Sequence, residues 1–299
     1  MHYPCWRNNQ LLTIICLAFL RYGDFKTCNY KNIGKDSIPL FTTCAMAECT
    51  HAFPIPNYMT IIDTQESDDN WRGVFNQFNQ NHPWETKVRK VGWRGALSEA
   101  EWTKATSSVR WRVAKLVHEL NSDQYDIGLT GIPSWLTEKV NFDLSQIGGF
   151  KSGISPMSAF QEYIAILDMD GNSWSSRFGT LLCYNSVVIK VEPKYFDYFY
   201  SELTPWTHYI PVKNDLSDFQ ENVAWALDPQ NEVAVKNIIS TANHWCSNRI
   251  LRNELATDLL DIFESYVRLL DRAGPNWNEE WRKSKEEMLS SSDLKIVQI

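Results

Sequence analysis

The hydrophobic positions of this chain alternate between short strand-like runs and stretches with helical spacing. The apolar run Leu11–Leu20 predicts a buried strand. Residues 23–73 are rich in Pro, Asn, Asp and Cys, and they predict loops with short extended pieces such as Ile38–Thr42. A helix is then predicted over Asn70–Gln80, and it ends where the pattern is interrupted just before Pro83.

Two later segments have the order strand, helix, strand. The first predicts a strand over Thr86–Trp93, a helix over Ser107–Leu120 and a strand over Tyr125–Leu129, and the second predicts a strand over Glu162–Leu167, a helix over Ser175–Tyr184 and a strand over Ser186–Val191. Parallel strands joined by crossover helices indicate an α/β domain whose ligands lie at the carboxyl ends of the strands. Residues 216–273 predict further helices, with a break at Asp228-Pro229.

Length, composition and charge indicate a globular protein and argue against membrane-spanning and nucleic-acid-binding proteins. At 299 residues the chain is long enough for about two domains, and 43% hydrophobic with 22% charged residues is typical of globular proteins. The longest apolar run is far shorter than the ~20 residues of a membrane-spanning helix, so no integral membrane span is expected. A net charge of −7 without a basic block argues against nucleic-acid binding as the main activity.

The numbers of tryptophan and cysteine residues bear on sugar binding, metal binding and disulfide formation. The thirteen Trp residues fit sugar-stacking surfaces and ordinary cores equally well. The seven Cys residues form no C-x-x-C pair and have no His at zinc spacing, so no metal site is expected. Four of them fall between Cys16 and Cys49, which permits one or two disulfides in an oxidising compartment. The run Leu11–Leu20 also resembles a signal-peptide core, but no small-residue cleavage site follows it, and the strand is favoured.

The densest candidate chemistry lies in the run LDMDGNSWSSRF (Leu167–Phe178). One interpretation is a phosphatase with Asp168 as nucleophile and Asp170 as acid and base, although that motif expects Thr where Asn172 stands and usually opens its domain. A second is a D-x-D clamp, in which the same two carboxylates hold Mn²⁺ or Mg²⁺ for a nucleoside diphosphate. A calcium loop is excluded, because position twelve is Gly179 and not Glu.

A third interpretation uses the turn and not its carboxylates. Gly171 permits a close backbone approach, and Ser175 and Ser176 lie at the start of the predicted helix. Arg177 adds a planar guanidinium. The free N–H groups and the dipole of a helix start favour an anion, so this arrangement predicts a diphosphate site. The plain structural alternative is a capped helix, with Asp170 or Ser175 as N-cap and Arg177 in solvent.

The first strand–helix–strand unit has cations at the matching place. Arg94 closes its first strand, and Arg110 and Arg112 follow in its helix, so that two strand ends with several cations face one crevice. Arginines on a helix are mostly solvated, and for Arg110 and Arg112 that alternative is the stronger one. His208 is more often a satisfied core histidine than a base.

These segments together are similar to glycosyltransferase family 90, the group that contains protein O-glucosyltransferases of the endoplasmic reticulum and fungal capsule xylosyltransferases. The strongest similarity is in residues 170–218, which combine a D-G-x-x-x-S-x-R-F turn with P-W-x-H-Y-I-P-V and D-L-S signatures. Weaker similarity is present in residues 82–98, with P-W-x-x-K and W-R-G, and in residues 39–58, with P-x-F. The resemblance covers about residues 11–273.

The resemblance implies a GT-B architecture, in which two Rossmann-like domains enclose a cleft, and metal-independent inverting transfer from a UDP-sugar donor to a protein or glycan acceptor. It implies an N-terminal acceptor-side domain over residues 1–83, short for the family, a UDP-sugar-binding domain over 84–247, and a helix with a charged tail over 248–299. It also implies the lumen of the endoplasmic reticulum or Golgi, although the sequence contains no sequon or retention signal.

The residues implied in donor binding follow the matching motifs. Ser175 and Arg177 take the diphosphate positions, and the backbone from Asn172 to Arg177 lines UDP. Either Arg110 or Arg112 is the second donor-contacting arginine. The complete set of candidate donor residues is Arg94, Arg110, Arg112, Gly171, Asn172, Ser175, Ser176, Arg177 and Phe178.

The implied catalytic base is Asp24, just after the first predicted strand. One carboxylate on the acceptor side suffices to deprotonate the acceptor hydroxyl during an inverting attack. No further cofactor is expected. Ala96 stands where the family has Ser after W-R-G, so one donor hydrogen bond is expected to be absent. Two alternatives stay open: a catalytically inactive carbohydrate- or nucleotide-binding protein on the same fold, and the D-x-D-G phosphatase.

Overall fold

The structure, a computed structural model, describes residues 40–42, 44–46, 52–55, 68–98, 108–134, 143–154 and 157–249, together with positions 261, 262, 264, 265 and 268. The predicted strand Leu11–Leu20 and the candidate base Asp24 lie outside these residues. Within them strands and helices alternate as expected, and the α/β class is confirmed. The predicted domain boundaries stay predictions.

The strands and helices have these bounds. The strands are β1 (Leu40–Thr42), β2 (Ala45–Met46), β3 (Ala52–Pro54), β4 (Val88–Gly95), β5 (Tyr125–Leu129), β6 (Tyr163–Asp168), β7 (Val187–Val191), β8 (Tyr195–Phe196) and β9 (Ile210–Val212). The helices are α1 (Asp68–Asn81), α2 (Val109–Leu120), α3 (Phe178–Leu181), α4 (Phe219–Leu227) and α5 (Glu232–Arg249).

Five strands form one parallel sheet in the order β5-β4-β6-β7-β9. From β4 the chain crosses through α2 to β5 on one side, and then it returns to β6 on the other side of β4 and continues outward to β7 and β9. The strand order therefore reverses between β4 and β6. In open parallel sheets a crevice forms at the carboxyl ends of the strands at such a reversal, and ligands usually bind there.

Both faces of the sheet are covered, which is why β6 and β7 are almost continuously apolar. On one face α2 and α4 pack over Trp93, Leu167 and Ile189. On the other face α3 and the later part of α5 pack over Ile166 and Val188. The crevice at the strand ends is thus built on a sheet that is held from both sides.

Local signals set the ends of the helices. α2 begins after Ser108, whose Oγ accepts a hydrogen bond from the N–H of Trp111 at 3.3 Å. It ends at Asn121, which has a left-handed backbone with φ of 45°. α4 and α5 are separated at Asp228-Pro229, as predicted, because Pro229 has no N–H to continue a helix.

The short strands before residue 68 are tied to the rest of the chain. β1 pairs with β3 in parallel, and β2 pairs with β8 in antiparallel fashion.

A disulfide joins Cys183, which follows α3, to Cys246 in α5. Neither of these residues belongs to the group between Cys16 and Cys49 that the sequence singled out. In the part of the chain that the structure describes, no helix is both long and apolar enough to cross a bilayer.

The helix of the second strand–helix–strand unit differs from its prediction, whereas the neighbouring elements agree with theirs to within two residues at each end. The prediction of a helix over Ser175–Tyr184 is wrong, because α3 has only four residues and Ser175 and Ser176 lie in the turn before it. The hydroxyl of Ser175 donates to Asp168 and does not cap the helix. Residues 182–186 then form turns that lead into β7.

Candidate functional site

We use the word crevice for the region between the ends of β4 and β6, at the reversal of strand order. Gly95 ends β4, Asp168 ends β6, and the turn over residues 169–177 follows at the same edge of the sheet. Arg177 crosses the crevice, since its Nη1 donates a hydrogen bond to the carbonyl oxygen of Arg94 at 2.9 Å. The structure therefore brings the D-x-D-G turn and the W-R-G segment together, as the order of the elements predicts.

The two carboxylates of the turn are bonded within the protein. Asp168 is fully buried, and its Oδ2 accepts from Nζ of Lys190 at 2.7 Å and its Oδ1 from Oγ of Ser175 at 2.5 Å. Asp170 accepts from Lys190 Nζ at 3.1 Å through Oδ1. Its Oδ2 accepts from the backbone N–H groups of Lys194, at 2.8 Å, and of the next residue, at 3.3 Å. All four carboxylate oxygens thus have protein donors.

These contacts bear on two of the interpretations of the turn. A phosphatase nucleophile must reach an incoming phosphate, but Asp168 is 0% exposed. A D-x-D clamp must offer its carboxylate oxygens to the metal ion, but here Lys190 already lies between Asp168 and Asp170. Among the described residues, no group of three or more His, Cys, Asp and Glu is placed to hold a metal ion. The geometry supports neither interpretation.

Arg110 joins the turn to the end of β4. Its Nε donates to the carbonyl oxygen of Asp170 at 2.8 Å, and its Nη1 donates at 2.8 Å to the carbonyl oxygen of Ala96 and to Oγ of Ser98. Its guanidinium carbon also lies 5.5 Å from the centre of the Trp93 ring, within the range of a cation–π contact. Only 8% of Arg110 is exposed, so it is not the solvated helix arginine that the plain alternative describes.

The backbone at Gly171 lies close to other side chains of the protein. Its N–H donates to the carbonyl oxygen of Ser173 at 2.9 Å, which closes a tight turn. A Cβ at this position would lie 3.1 Å from Nη2 of Arg110 and 3.4 Å from Oγ of Ser98. Because those contacts are tighter than usual, glycine lets the turn lie directly against the arginine.

Arg177 is the guanidinium of the turn that is best placed for a ligand. It is half-buried, and its bond to the carbonyl of Arg94 is its sole hydrogen bond within the described residues. No carboxylate among the described residues forms an ion pair with Arg177. A guanidinium that is anchored at one nitrogen and not neutralised by an acid can present its remaining N–H groups to a phosphate.

Arg94 points its side chain along the face of the sheet and not into the crevice. Its Nη2 pairs with Oδ1 of Asp126 at 2.6 Å, and its Nε donates to the carbonyl oxygen of Ser152 at 3.0 Å. Burial works to raise the pKa of Asp126, but hydrogen bonds from Tyr163, Lys151 and Arg94 outweigh it and hold that pKa well below its usual range. Arg94 is thus neutralised by a carboxylate that stays ionised.

Arg112 is bound at another place. Its Nη1 donates to the carbonyl oxygen of Asn214 at 2.7 Å and its Nη2 to Oδ1 of the same residue at 3.0 Å, in the loop that follows β9. Of the two helix arginines between which the sequence left the choice open, the structure places Arg110 at the crevice.

The long helix whose start was expected to bind an anion is not formed, because α3 has a single turn and begins only at Phe178. The hydroxyl of Ser175 is buried against Asp168. Phe178 is 1% exposed and belongs to the core. Asn172 and Ser176 are exposed at the rim of the crevice.

Three buried residues beside the turn are not among those predicted. Lys190 had a signal in the sequence, since it is a single charge within the apolar strand VVIKV. Asp197 had a similar signal, as the single charge within the aromatic run YFDYFY. Burial raises its pKa to about 7, and a hydrogen bond from the N–H of Tyr198 at 2.8 Å offsets this only in part. Cys44 is a buried free thiol whose pKa burial raises to about 12.

Comparison with known protein families agrees with the motifs. The model of the family described as Glycosyl transferase family 90 matches residues 21–295. Protein O-glucosyltransferase 2 of Danio rerio is 30% identical over 186 residues, which are 62% of this chain and 34% of that protein. Protein O-glucosyltransferase 3 of Rattus norvegicus is 29% identical over 220 residues, which are 72% of this chain and 39% of that protein. The chain therefore spans little more than a third of the length of these relatives.

Among solved structures, the chain shows a distant likeness to one described as the crystal structure of TarM. The sequences are 14% identical, the TM-score is 0.40, and the likeness covers 60% of this chain and 36% of the other.

Proposed function

The chain belongs to glycosyltransferase family 90, and from that premise we propose that it is an inverting transferase that moves glucose or xylose from a UDP-sugar to a hydroxyl group of a protein or glycan. Glucose is the first candidate for the sugar, because the curated relatives are named protein O-glucosyltransferases.

The observation that carries this proposal is the position of Arg177. The residue lies at the strand-order reversal, it is anchored by the carbonyl of Arg94, and its other nitrogens have no partner among the described residues. The diphosphate of a UDP-sugar fits such a place, because a planar guanidinium binds phosphate oxygens in a bidentate way. In the transfer step, negative charge develops on the departing UDP, and a fixed cation there stabilises it.

The turn supports a donor site that uses no metal ion. All four oxygens of Asp168 and Asp170 accept bonds from protein donors, which supports a diphosphate bound by guanidinium and backbone N–H groups. Gly171 brings the backbone of the turn close to Arg110, and the exposed Asn172 and Ser176 provide the rim along which the nucleotide would lie.

The proposed base is Asp24, which lies outside the described residues. In an inverting transfer this carboxylate removes the proton of the acceptor hydroxyl. The hydroxyl oxygen attacks the anomeric carbon at the same time, and UDP leaves from the opposite face. The proposed compartment is the lumen of the endoplasmic reticulum or Golgi. The disulfide between Cys183 and Cys246 supports it, since disulfides persist in oxidising compartments.

Arg177→Ala tests the donor site. Losing charge-assisted bonds to a phosphate costs about 1.5–3 kcal/mol, so we expect the Kd for UDP, measured by isothermal titration calorimetry, to rise by about ten- to a hundredfold. Arg112→Ala is the matched control and should leave the Kd within twofold. If the unmodified chain binds neither UDP, UDP-glucose nor UDP-xylose, or if Arg177→Ala binds them equally well, the donor assignment is wrong.

Asp24→Asn separates binding from chemistry. We expect this variant to retain the UDP affinity of the unmodified chain and to lose transfer and hydrolysis of the UDP-sugar, because only the base is removed. Equal loss of both would identify a structural Asp. An unmodified chain that binds UDP and releases no sugar would instead support the catalytically inactive binding protein, for which Ala96 is the supporting residue.

A further inference from the structure

Lys190 is a fully buried lysine beside the turn, and its ammonium donates hydrogen bonds to the carboxylates of both Asp168 and Asp170. We propose that Lys190 is a positioning residue, whose ammonium joins Asp168 to Asp170 and thereby holds the turn over residues 169–177 in the form that binds the donor diphosphate. This inference rests on the proposed function, because the diphosphate of the UDP-sugar is the ligand that the turn would hold.

The parallel register of the sheet places this ammonium. β6 and β7 are neighbours, and Asp168 lies directly beside Lys190 in their pairing. The side chain of Lys190 is 1% exposed, and its Nζ lies 2.7 Å from Asp168 and 3.1 Å from Asp170. Asp170 lies just past the end of β6, so one ammonium connects the end of a rigid strand to the turn that follows it.

Each of the two carboxylates that contact Lys190 also accepts hydrogen bonds from other residues around the turn. The other oxygen of Asp168 accepts the hydroxyl of Ser175, which fixes the far end of the turn. The second oxygen of Asp170 accepts the N–H groups of Lys194 and its neighbour, and the carbonyl of the same residue accepts Nε of Arg110. Lys190 is therefore linked through these two carboxylates to both ends of the turn, and through Asp170 to one of the contacts of Arg110.

The ammonium keeps its charge in this place. Burial by itself lowers the pKa of Lys190, but Asp168 and Asp170 raise it, and the net direction is upward. Aromatic rings add to the attraction, since Nζ lies 5.0 Å from the ring centre of Phe178 and 5.9 Å from that of Tyr200. A neutral side chain of the same length would fill the space and leave the two carboxylates without their common partner.

Two variants test the proposal without leaving Asp168 as an unpaired buried charge. Lys190→Met combined with Asp168→Asn removes one positive and one negative charge at nearly constant volume, and Lys190→Arg keeps the charge but changes its shape. The matched control is Lys236→Met combined with Glu232→Gln, which breaks an ion pair of 2.8 Å on the surface of α5.

The measurements are the near-ultraviolet circular dichroism of each variant, its Kd for UDP, and its kcat and KM for UDP-glucose. Both Lys190 variants should raise the Kd and the KM at least tenfold and lower kcat less than threefold, whereas the control changes neither constant more than twofold. A merely structural lysine would reduce the fraction of active molecules, which lowers the apparent kcat and leaves KM unchanged. That pattern, or a folded Lys190 variant with an unaltered Kd, would overturn the proposal.

A measurement on the unmodified chain covers the case in which the Lys190 variants do not fold. Binding of UDP should slow amide hydrogen exchange in peptides that contain residues 169–177 and 192–196, because the turn and the N–H groups bonded to Asp170 form one unit. Bound UDP without this protection contradicts the proposal. If the unmodified chain binds no UDP at all, the proposed function fails, and the two failures are therefore told apart.

Discussion

The two single variants Arg110→Lys and Arg112→Lys test whether Arg110, and not Arg112, lies at the crevice. Both arginines lie in α2, two positions apart, and both donate to backbone carbonyls. Arg110 makes three hydrogen bonds of 2.8 Å that end on Asp170, Ala96 and Ser98. The ammonium of Lys can reach one of these acceptors and keeps the charge, so two bonds are lost.

The expected cost follows from the number of bonds lost. A hydrogen bond from a charged donor contributes about 1.5–3 kcal/mol, and the lower value applied twice gives about 3 kcal/mol of lost stability for Arg110→Lys. Arg112→Lys loses one of its two bonds to Asn214, and since Arg112 is partly exposed we expect a cost of about 1 kcal/mol or less.

Urea unfolding at pH 7 measures both costs, and titration calorimetry with UDP measures the effect on the crevice. Arg110→Lys should raise the Kd for UDP at least tenfold, which corresponds to about 1.4 kcal/mol. Arg112→Lys should change it less than twofold. Equal losses of stability in the two variants, or a larger effect of Arg112→Lys on UDP binding, would refute the assignment of Arg110 to the crevice.

Three further predictions concern stability. Gly92→Ala should lower the free energy of unfolding in urea by about 1–3 kcal/mol, because a Cβ there would overlap the ring of Tyr163; an unaltered midpoint would contradict this packing. Burial raises the pKa of Asp197 from 3.8 to about 7, so the folded state keeps a proton that the unfolded chain has lost, and stability should fall as the pH rises from about 4 to about 7. Asp197→Asn should remove this slope. Replacing both Cys183 and Cys246 by Ser removes a link across 63 residues, which should lower the free energy of unfolding in urea by about 4 kcal/mol; an unaltered value would contradict the link.

The elements of the fold were largely predictable because their signals are local. The strand Tyr125–Leu129 has the bounds that its apolar run predicts, and the break at Asp228-Pro229 follows from the missing N–H of proline. The helix over Ser175–Tyr184 was predicted wrongly. Its expected cap, Ser175, instead donates its hydroxyl to the buried carboxylate at the end of β6, that of Asp168, and the helix begins only at Phe178.

The candidate site divides in the same way. The motif around Gly171 and Arg177 was visible in the sequence, since a glycine turn and a guanidinium after a buried strand are recognisable as a pattern. No pattern distinguishes Arg110 from Arg112, because both stand in one helix and each finds its partner on a different strand–loop junction. Which of the two arginines lies at the crevice depends on how α2 packs on the sheet.

The α/β class, the order of strands and helices, and the turn that carries Arg177 can be predicted from the amino-acid order, because periodicity and turn chemistry act within about ten residues. The contact of Lys190 with both Asp168 and Asp170 and the disulfide between Cys183 and Cys246 are visible only in the folded chain. These partners stand 20, 22 and 63 residues apart along the chain. Strand register and helix packing bring them together, and no local spacing encodes that.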